Sequence, residues 1–518
     1  MTQPSYVIAV DVGTASARAG LFDATGQMLG RGQHDLALDR GEYDSEQIWR
    51  SCCLAVRAAM AEAGASPDSV RGISFDATCS LVIRDRNGKP LPLREADGRT
   101  FDTIAWFDHR AVAEAEECTA TGHEVLDYIG GVMSPEMETP KLMWLKRNRP
   151  DIWERSGFFF DLCDFLTWRA SGSNERSVCA LACKWTYLGH TRAPWRTDFF
   201  DMVGIGDMLD KGNLPPMAQD VGTALGTLTA TAAEELALTT DCEVVCGLID
   251  AHAGAIGTIG AMPKDSFDNH LALIAGTSTC VMALAPEARA IAGIWGPYRD
   301  AVLPGLWLNE GGQSATGALL DYVLESHGKT LGNHTAITEL AQAEIAKDPD
   351  FAARLHVVPD HHGNRSPLAD PHAVGVVSGL TLDASDTALA ALYYKTALGI
   401  AYGVRHIVDE MNKAGYKIDT LHVAGGHTKN PLLMRLYADA TQCNVVAAGA
   451  EDGVLLGTAV VAAGGCGLHP DIYAAAAAMV PSGSTTAFDP DMADDHALGF
   501  KRFRLMQEHR AALDAMEA

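Results

Sequence analysis

One short pattern occurs twice in this chain, about half its length apart. Ile8-Ala9-Val10-Asp11-Val12-Gly13-Thr14-Ala15-Ser16 is an apolar strand, a Gly-Thr turn and a hydroxyl residue that leads into more apolar sequence. Leu271-Ala272-Leu273-Ile274-Ala275-Gly276-Thr277-Ser278-Thr279 repeats it in kind. A Gly-Thr pair alone recurs by chance. Matching strands around it point to a duplicated domain, in which the two turns hold equivalent places.

The flanking sequence gives the layout of each half. Residues 6–10 and 16–22 read as strands, with a turn at 23–26 into a third. A helix is predicted over 45–63, with Trp49, Cys53, Val56 and Met60 on one face, Ser45 as cap and Gly64 as stop. Residues 70–75 return as a strand. Three hairpin strands and then alternating helix and strand predict a mixed α/β sheet. In the second half a helix is expected near 389–411 and a strand at 420–424. Gly425-Gly426 follows, then a helix opening at Asn430-Pro431, where proline suits a first helical position. A strand at 444–447 and a helix near 452–463 come next, and 500–516 reads as an exposed amphipathic helix.

Composition narrows the class. The chain has 518 residues, 47% apolar and 20% charged, which is globular usage. Its net charge, 40 basic minus 66 acidic or -26, opposes non-specific binding to nucleic acid or anionic membrane. A local phosphate site is still allowed. The 12 cysteines contain no CxxC pair, and Cys179/Cys183 and Cys242/Cys246 have no histidine pair nearby, so reduced, buried thiols of a cytoplasmic protein are expected. The start lacks the basic-then-apolar pattern of a leader, and the apolar runs 454–463 and 473–479 are too short to span a bilayer.

Several phosphate and catalytic motifs are absent. Gly328-Lys329-Thr330 resembles the end of a Walker A loop, but Val323 stands at its first glycine, and Gly204-Ile205-Gly206 lacks the third glycine of a dinucleotide fingerprint. His361-His362 reads as a loop pair. The turn Asp11-x-Gly13-Thr14-x-Ser16-x-Arg18 suits a nucleotide phosphate: glycine admits backbone N–H groups, Thr and Ser add hydroxyls, and Asp holds Mg²⁺ through water. An Asp-capped hairpin bend accounts for it equally. Gly276-Thr277-Ser278 is the same device in the second half, and two such turns facing each other would clamp a triphosphate. Gly425-Gly426-His427-Thr428-Lys429-Asn430, between strand and helix, suits a nucleotide or is an ordinary β-to-α turn. Asp250, after an apolar strand and before a small-residue helix, reads as an N-cap, as a base that accepts a hydroxyl proton, or as both.

Taken together these segments resemble the FGGY carbohydrate kinases over about residues 5–467. The further carriers are Trp106-x-Asp108-x-Arg110, Lys141-Leu142-Met143-Trp144-Leu145 and Glu310 to Gly317 within the run NEGGQSATG that Asn309 opens. The resemblance implies an α/β fold of two RNase H-like (actin-like ATPase) domains with a catalytic cleft between them. The expected divisions are 1–262, 263–490 and a helical extension at 491–518. Within the family the chain looks most like the ribulokinase-type pentulose kinases, the D-ribulokinase branch especially. That likeness is carried by Phe75-Asp76-Ala77-Thr78-Cys79-Ser80, residues 130–140 (GGVMSPEMETP), Cys183-Lys184-Trp185-Thr186-Tyr187 and His362-Gly363-Asn364-Arg365-Ser366-Pro367. Leu398 and Glu138 depart from the family pattern.

By this resemblance Asp250 is the base, and Asp76, Ala77, Lys184 and Glu310 bind the sugar. Asp11 works with Mg²⁺. Gly13, Thr14, Ser16, Arg18, Gly276, Thr277 and Ser278 hold phosphates, and Gly425, Gly426 and Asn430 take the adenosine. The implied reaction is ATP-dependent conversion of D-ribulose to D-ribulose 5-phosphate. L-ribulose, ribitol or xylulose are the alternative acceptors, and an actin-like or chaperone-like ATPase is the alternative of another class. Its partners are the sugar and ATP, and a homodimer is compatible with the chain.

Overall fold

The two copies of the repeated motif start two sheets that wind the same way. The computed structural model describes residues 5–327 and 333–517, so the Walker-like 328–330 segment lies outside the described residues. In the first half β1 (Tyr6–Val12), β2 (Ser16–Phe22) and β3 (Met28–Asp35) form an antiparallel meander. Helix α1 (Ser45–Ala63) crosses over, and β4 (Val70–Ala77) returns parallel to β1, with β5 (Glu243–Ile249) parallel beyond it. Helix α2 (Asp250–Ile259) leaves directly from β5. The second half repeats the scheme. Strands β6 (His270–Ala275), β7 (Thr279–Ala285) and β8 (Trp307–Gln313) form the meander. Helix α3 (Asp386–Lys413) then leads to β9 (Thr420–Ala424), parallel to β6. Helix α4 (Pro431–Thr441) leads in turn to β10 (Asn444–Ala447), parallel to β9. The doubled α/β architecture read from the sequence is what the chain adopts.

Local chemistry explains the boundaries, including those the sequence misjudged. Helix α1 is capped by Asp44, whose carboxylate accepts from the Glu46 and Gln47 N–H groups; Ser45 is already helical and its hydroxyl donates to Asp102. Trp49, Cys53, Val56 and Met60 are all buried, as their spacing requires. Helix α3 runs longer at both ends than predicted, because Ser385 caps it ahead of the apolar stretch. Helix α5 (Gly453–Gly465) is capped by Asp452. The last helix, α6 (Ala493–Glu517), is not simply exposed: Phe503, Gln507 and Arg510 are buried against the second half. All twelve cysteines are free. Among the described residues no helix is long and apolar enough to cross a membrane.

The halves are joined where α2 crosses α5, which also lies on β1 and β4. The crossing is as close as backbone allows. A Cβ at Gly457 would stand 1.8 Å from the Ala253 carbonyl oxygen, and one at Gly257 would stand 1.9 Å from that of Gly453. Both contacts are with backbone, so a side chain can be fitted only if the helices part. Gly457→Ala is therefore expected to destabilise the protein by about 1–3 kcal/mol, the usual range for overpacking, with urea unfolding as the measurement.

Candidate active site

Parallel register sets three carboxylates side by side. Asp11 of β1 pairs with Asp76 of β4, and Ala77 of β4 pairs with Ile249 of β5, the residue before Asp250. All three acids thus end adjacent parallel strands, the edge at which α/β sheets bind ligands. Asp11 is 1% exposed and Asp76 is 0%. Burial raises the Asp11 carboxyl to about 6 despite the opposing Arg18 guanidinium. Burial and the neighbouring Asp11 push Asp76 well up. Burial also raises Asp250, against the Ala251 N–H that its carboxylate accepts at 2.7 Å.

Arg18 and Asp76 have partners here that the sequence did not reveal. Arg18 is ion-paired to Asp11 and, at 3.0 Å, to Asp452 at the head of α5, so its charge is already committed to carboxylates across the two halves. Asp76 accepts from the Thr458 hydroxyl of α5 and lies against Asp11. Ala77 is fully buried.

The ledge fits a hard divalent cation. Asp11 Oδ1 and Asp76 Oδ1 are buried with no hydrogen-bond partner, and Arg18 is the cation at hand for three acids. Among the described residues no group of three or more His, Cys, Asp or Glu forms a closed metal cage. With two unpartnered carboxylate oxygens the ledge suits Mg²⁺, which keeps waters and takes one or two carboxylates plus substrate phosphates.

The two turns differ from the simplest expectation in one respect. The Gly13 and Gly276 N–H groups close their own turns, donating to the Ser16 and Ser278 carbonyls at 3.1 and 2.9 Å. Thr14 is held by two aromatics: its Oγ1 accepts from Trp106 Nε1 at 3.1 Å and its carbonyl from the Tyr43 hydroxyl at 2.8 Å. The Thr14 hydroxyl hydrogen remains to donate. In the second half, β6 and β9 end together, so Gly276-Thr277 lies beside Gly425-Gly426. Gly425 has φ +92°, and a Cβ there would meet the Ala275 carbonyl at 2.3 Å. A cavity of about 570 Å³ opens here, lined by Thr277, Gly317, Tyr393, Gly426, Asn430 and others. Asn430 caps α4 through Leu433 N–H at 3.1 Å and donates to the Tyr393 hydroxyl at 3.1 Å, so it fixes this wall of the cavity.

A second polar cluster lies on the other side of Asp250. Cross-strand pairing sets Trp295 opposite Glu310 of β8. Lys184, 5% exposed, places its Nζ 4.3 Å from the Trp295 ring centroid. Burial works against its charge, but Cys79, Glu310 and Glu136 outweigh it and raise its pKa. Burial alone would raise Glu310; Lys184 and His252 reverse that and hold it at about 2. Arg365 reaches Glu136 at 3.4 Å and Cys280 Sγ at 3.7 Å. Lys141, buried with Glu138 at 3.5 Å, donates to the Glu136 and Trp106 carbonyls. Glu138, the departure noted in the sequence, thus serves this helix start.

His252 links this cluster to Asp250. It sits two residues after Asp250 on α2, fully buried, with Nε2 3.2 Å from Glu310 and Nδ1 3.0 Å from Cys179 Sγ. Burial disfavours its charge, but Cys179 and Glu310 raise it to about 10. Burial also pushes the Cys179 thiol well up, so Glu310 carries the negative charge of the trio.

The cluster therefore gathers Lys184 and Glu310 as the sequence predicts, and adds Glu136, Arg365, Trp295 and His252, which sequence reasoning did not assign. Glu136 and Arg365 lie inside segments already marked as distinctive, and His252 inside the Asp250 motif. Their charges meet only through the fold. His361 and His362 are exposed on a loop.

Two like-wound sheets, a carboxylate ledge between their ends, and a nucleotide-sized cavity on one side with a charged pocket on the other define a kinase of the two-domain sugar-kinase class. Residues 6–257 match the FGGY family of carbohydrate kinases, N-terminal domain, and residues 271–466 its C-terminal domain; the chain belongs to this family. It is 43% identical to an FGGY carbohydrate kinase domain-containing protein of Xenopus laevis, over 90% of each chain. It is 34% identical to a D-ribulokinase of Saccharomyces cerevisiae, over 86% of this chain and 69% of that one. A xylulose kinase from Rhodospirillum rubrum superposes with a TM-score of 0.82 at 21% identity, covering 98% and 99% of the two chains. The protein is a carbohydrate kinase, and kinases of this family use ATP.

The His252–Glu310 pair makes a prediction about stability. The folded His252 value, about 10, lies above its ordinary 6.5, so the pair's contribution is full below about pH 6.5 and is lost as pH rises through about 10. Urea unfolding of wild type and His252→Gln should show a stability gap that narrows across that window. A gap independent of pH would mean the ring is neutral in the fold.

Proposed function

We propose that this protein is a Mg²⁺-dependent kinase that transfers the terminal phosphoryl group of ATP to the 5-hydroxyl of D-ribulose. The observation that carries the reading is the position of Asp250: it ends β5 and heads the same helix whose His252 holds Glu310. Base and acceptor pocket are thereby linked through one helix, with Glu310 contributed by the second half.

Asp250 accepts the proton of the attacking hydroxyl, and its raised pKa makes it a better acceptor than a solvated carboxylate. Lys184 donates to sugar oxygens and Glu310 accepts from sugar hydroxyls, each held ionised by the other. Arg365 and Glu136 form the opposite wall. Thr14 and Thr277 donate to the phosphates from either half, and Gly425, Gly426 and the Asn430–Tyr393 wall receive the adenosine. Asp11, with Asp76 behind it, would hold Mg²⁺, which when bound neutralises charge on the phosphates. Arg18 keeps the ledge joined to α5 while the halves move. Closure of the halves expels water, so that transfer to water does not compete.

The sequence likeness to a D-ribulokinase and the segments around Cys79, Glu136, Lys184 and Arg365 favour D-ribulose over L-ribulose, ribitol or xylulose. An actin-like or chaperone-like ATPase has no use for a buried Lys184–Glu310–Arg365–Glu136 cluster beside its base. The division near residue 262 and a cytoplasmic setting, in keeping with twelve free thiols, belong to the same reading.

Three outcomes are expected. Asp250→Asn should lower kcat by on the order of 10²-fold or more while ATP binding, measured calorimetrically, stays within a few-fold; near-normal turnover would remove the assigned base. Across a panel of pentuloses, pentitols and glycerol in a coupled ADP-release assay, D-ribulose should give the highest kcat/KM and glycerol almost none. Glu310→Gln and Lys184→Met should raise KM for the sugar and leave KM for ATP alone. Equal turnover of xylulose would overturn the choice of acceptor.

A further inference from the structure

The acceptor pocket has one wall that is not part of any sheet or helix. Residues 359–371 form an irregular loop, and Arg365 reaches the pocket from it. The loop presses on backbone where side chains are missing, at Gly293 in a turn and Gly312 in β8. A Cβ at Gly293 would stand 1.9 Å from the Pro367 carbonyl oxygen, and one at Gly312 would stand 3.4 Å from Arg365 Cδ. Its neck is closed by two backbone hydrogen bonds between Asn364 and Asp370, 2.8 and 2.9 Å long.

Both feet of this neck are tied to the C-terminal helix. Gln507 donates to one oxygen of Asp360 at 3.3 Å, and the other oxygen accepts from the Asn364 side chain at 2.9 Å. Arg510 donates to the Asp370 carboxylate at 3.2 Å. Gln507 and Arg510 are each 4% exposed, although they sit near the end of the chain. The helix itself is anchored upstream, by Phe503 in the core and by His496 Nδ1, 3.2 Å from the Tyr402 hydroxyl. A buried arginine aimed at a loop carboxylate is costly to place and strongly orienting once paired. A helix needed only to cover apolar surface requires neither contact.

We propose that α6 is a brace for acceptor recognition: Gln507 and Arg510 are positioning residues that hold the 359–371 loop so that Arg365 meets Glu136 in the sugar pocket. This deepens the acceptor reading above and rests on it. The C-terminal segment then acts on sugar affinity and leaves the nucleotide half of the site untouched.

Arg510→Met and, should that variant fold poorly, Gln507→Leu test it, with Arg510→Lys as the conservative rescue. With D-ribulose and ATP varied in turn, Arg510→Met should raise KM for D-ribulose on the order of 10-fold, since displacements of about 1 Å carry effects of up to ~10²-fold. KM for ATP should stay within about two-fold, and Arg510→Lys should recover much of the loss. In an Arg365→Met background the same change should add little, because the two act through one contact. Hydrogen exchange without any sugar should speed up in 359–371 and stay unchanged in 425–430. Unchanged exchange in 359–371 overturns the brace. Equal rises in both KM values, or full additivity with Arg365→Met, reduce α6 to a general stabiliser and overturn it as well. Faster exchange with an unaltered KM for D-ribulose leaves the brace standing and overturns the acceptor reading on which the proposal depends.

Discussion

Three carboxylates forced together at the ends of parallel strands are the constraint around which this structure is arranged. Strand register gives Asp11, Asp76 and Asp250 no means of avoiding one another. Buried like charges repel and lose their hydration, so their pKa values rise unless a cation arrives. The chain supplies one arginine, Arg18, a hydroxyl from Thr458 and a backbone N–H at Ala251. The remaining unpartnered oxygens of Asp11 and Asp76 leave the ledge short of positive charge.

The same groups make the two halves depend on each other. Arg18 belongs to the first half and Asp452 to the second; Asp76 to the first and Thr458 to the second. These ties run along α5, which crosses α2 at contacts that only glycine permits. A helix packed this closely moves as a body and transmits small rotations, because a close-packed contact has little room to deform. Asp250 and His252 both ride on α2, so a shift of that helix would carry Asp250 and the His252–Glu310 contact together.

The acceptor pocket follows another logic. Lys184 and Arg365 oppose Glu310 and Glu136, so the burial penalty of each charge is offset by its neighbours and every side chain is held ionised and oriented before a sugar enters. A polyol that replaces water there finds donors and acceptors in fixed places. Specificity then comes from the cost of leaving any of them unpaired.

Much of this was legible in the sequence. The repeated strand and Gly-Thr turn disclosed the duplication, since two-residue alternation and glycine at a turn are local properties. Asp250, Lys184 and Glu310 could be named because motif neighbours travel with them along the chain. The misread cap of α1 and the misread start of α3 were also local in origin: Asp44 and Ser385 cap helices one turn or less from where apolar periodicity begins. What only the tertiary structure decided are the pairings between distant segments. Arg18 with Asp452, Asp76 with Thr458, His252 with Glu310, Arg365 with Glu136 and Arg510 with Asp370 each join residues tens to hundreds of positions apart. A charged side chain carries no mark of its future partner; its partner is set by strand register and helix crossing. Burial then decides whether that meeting is a weak surface contact or a fixed part of the site.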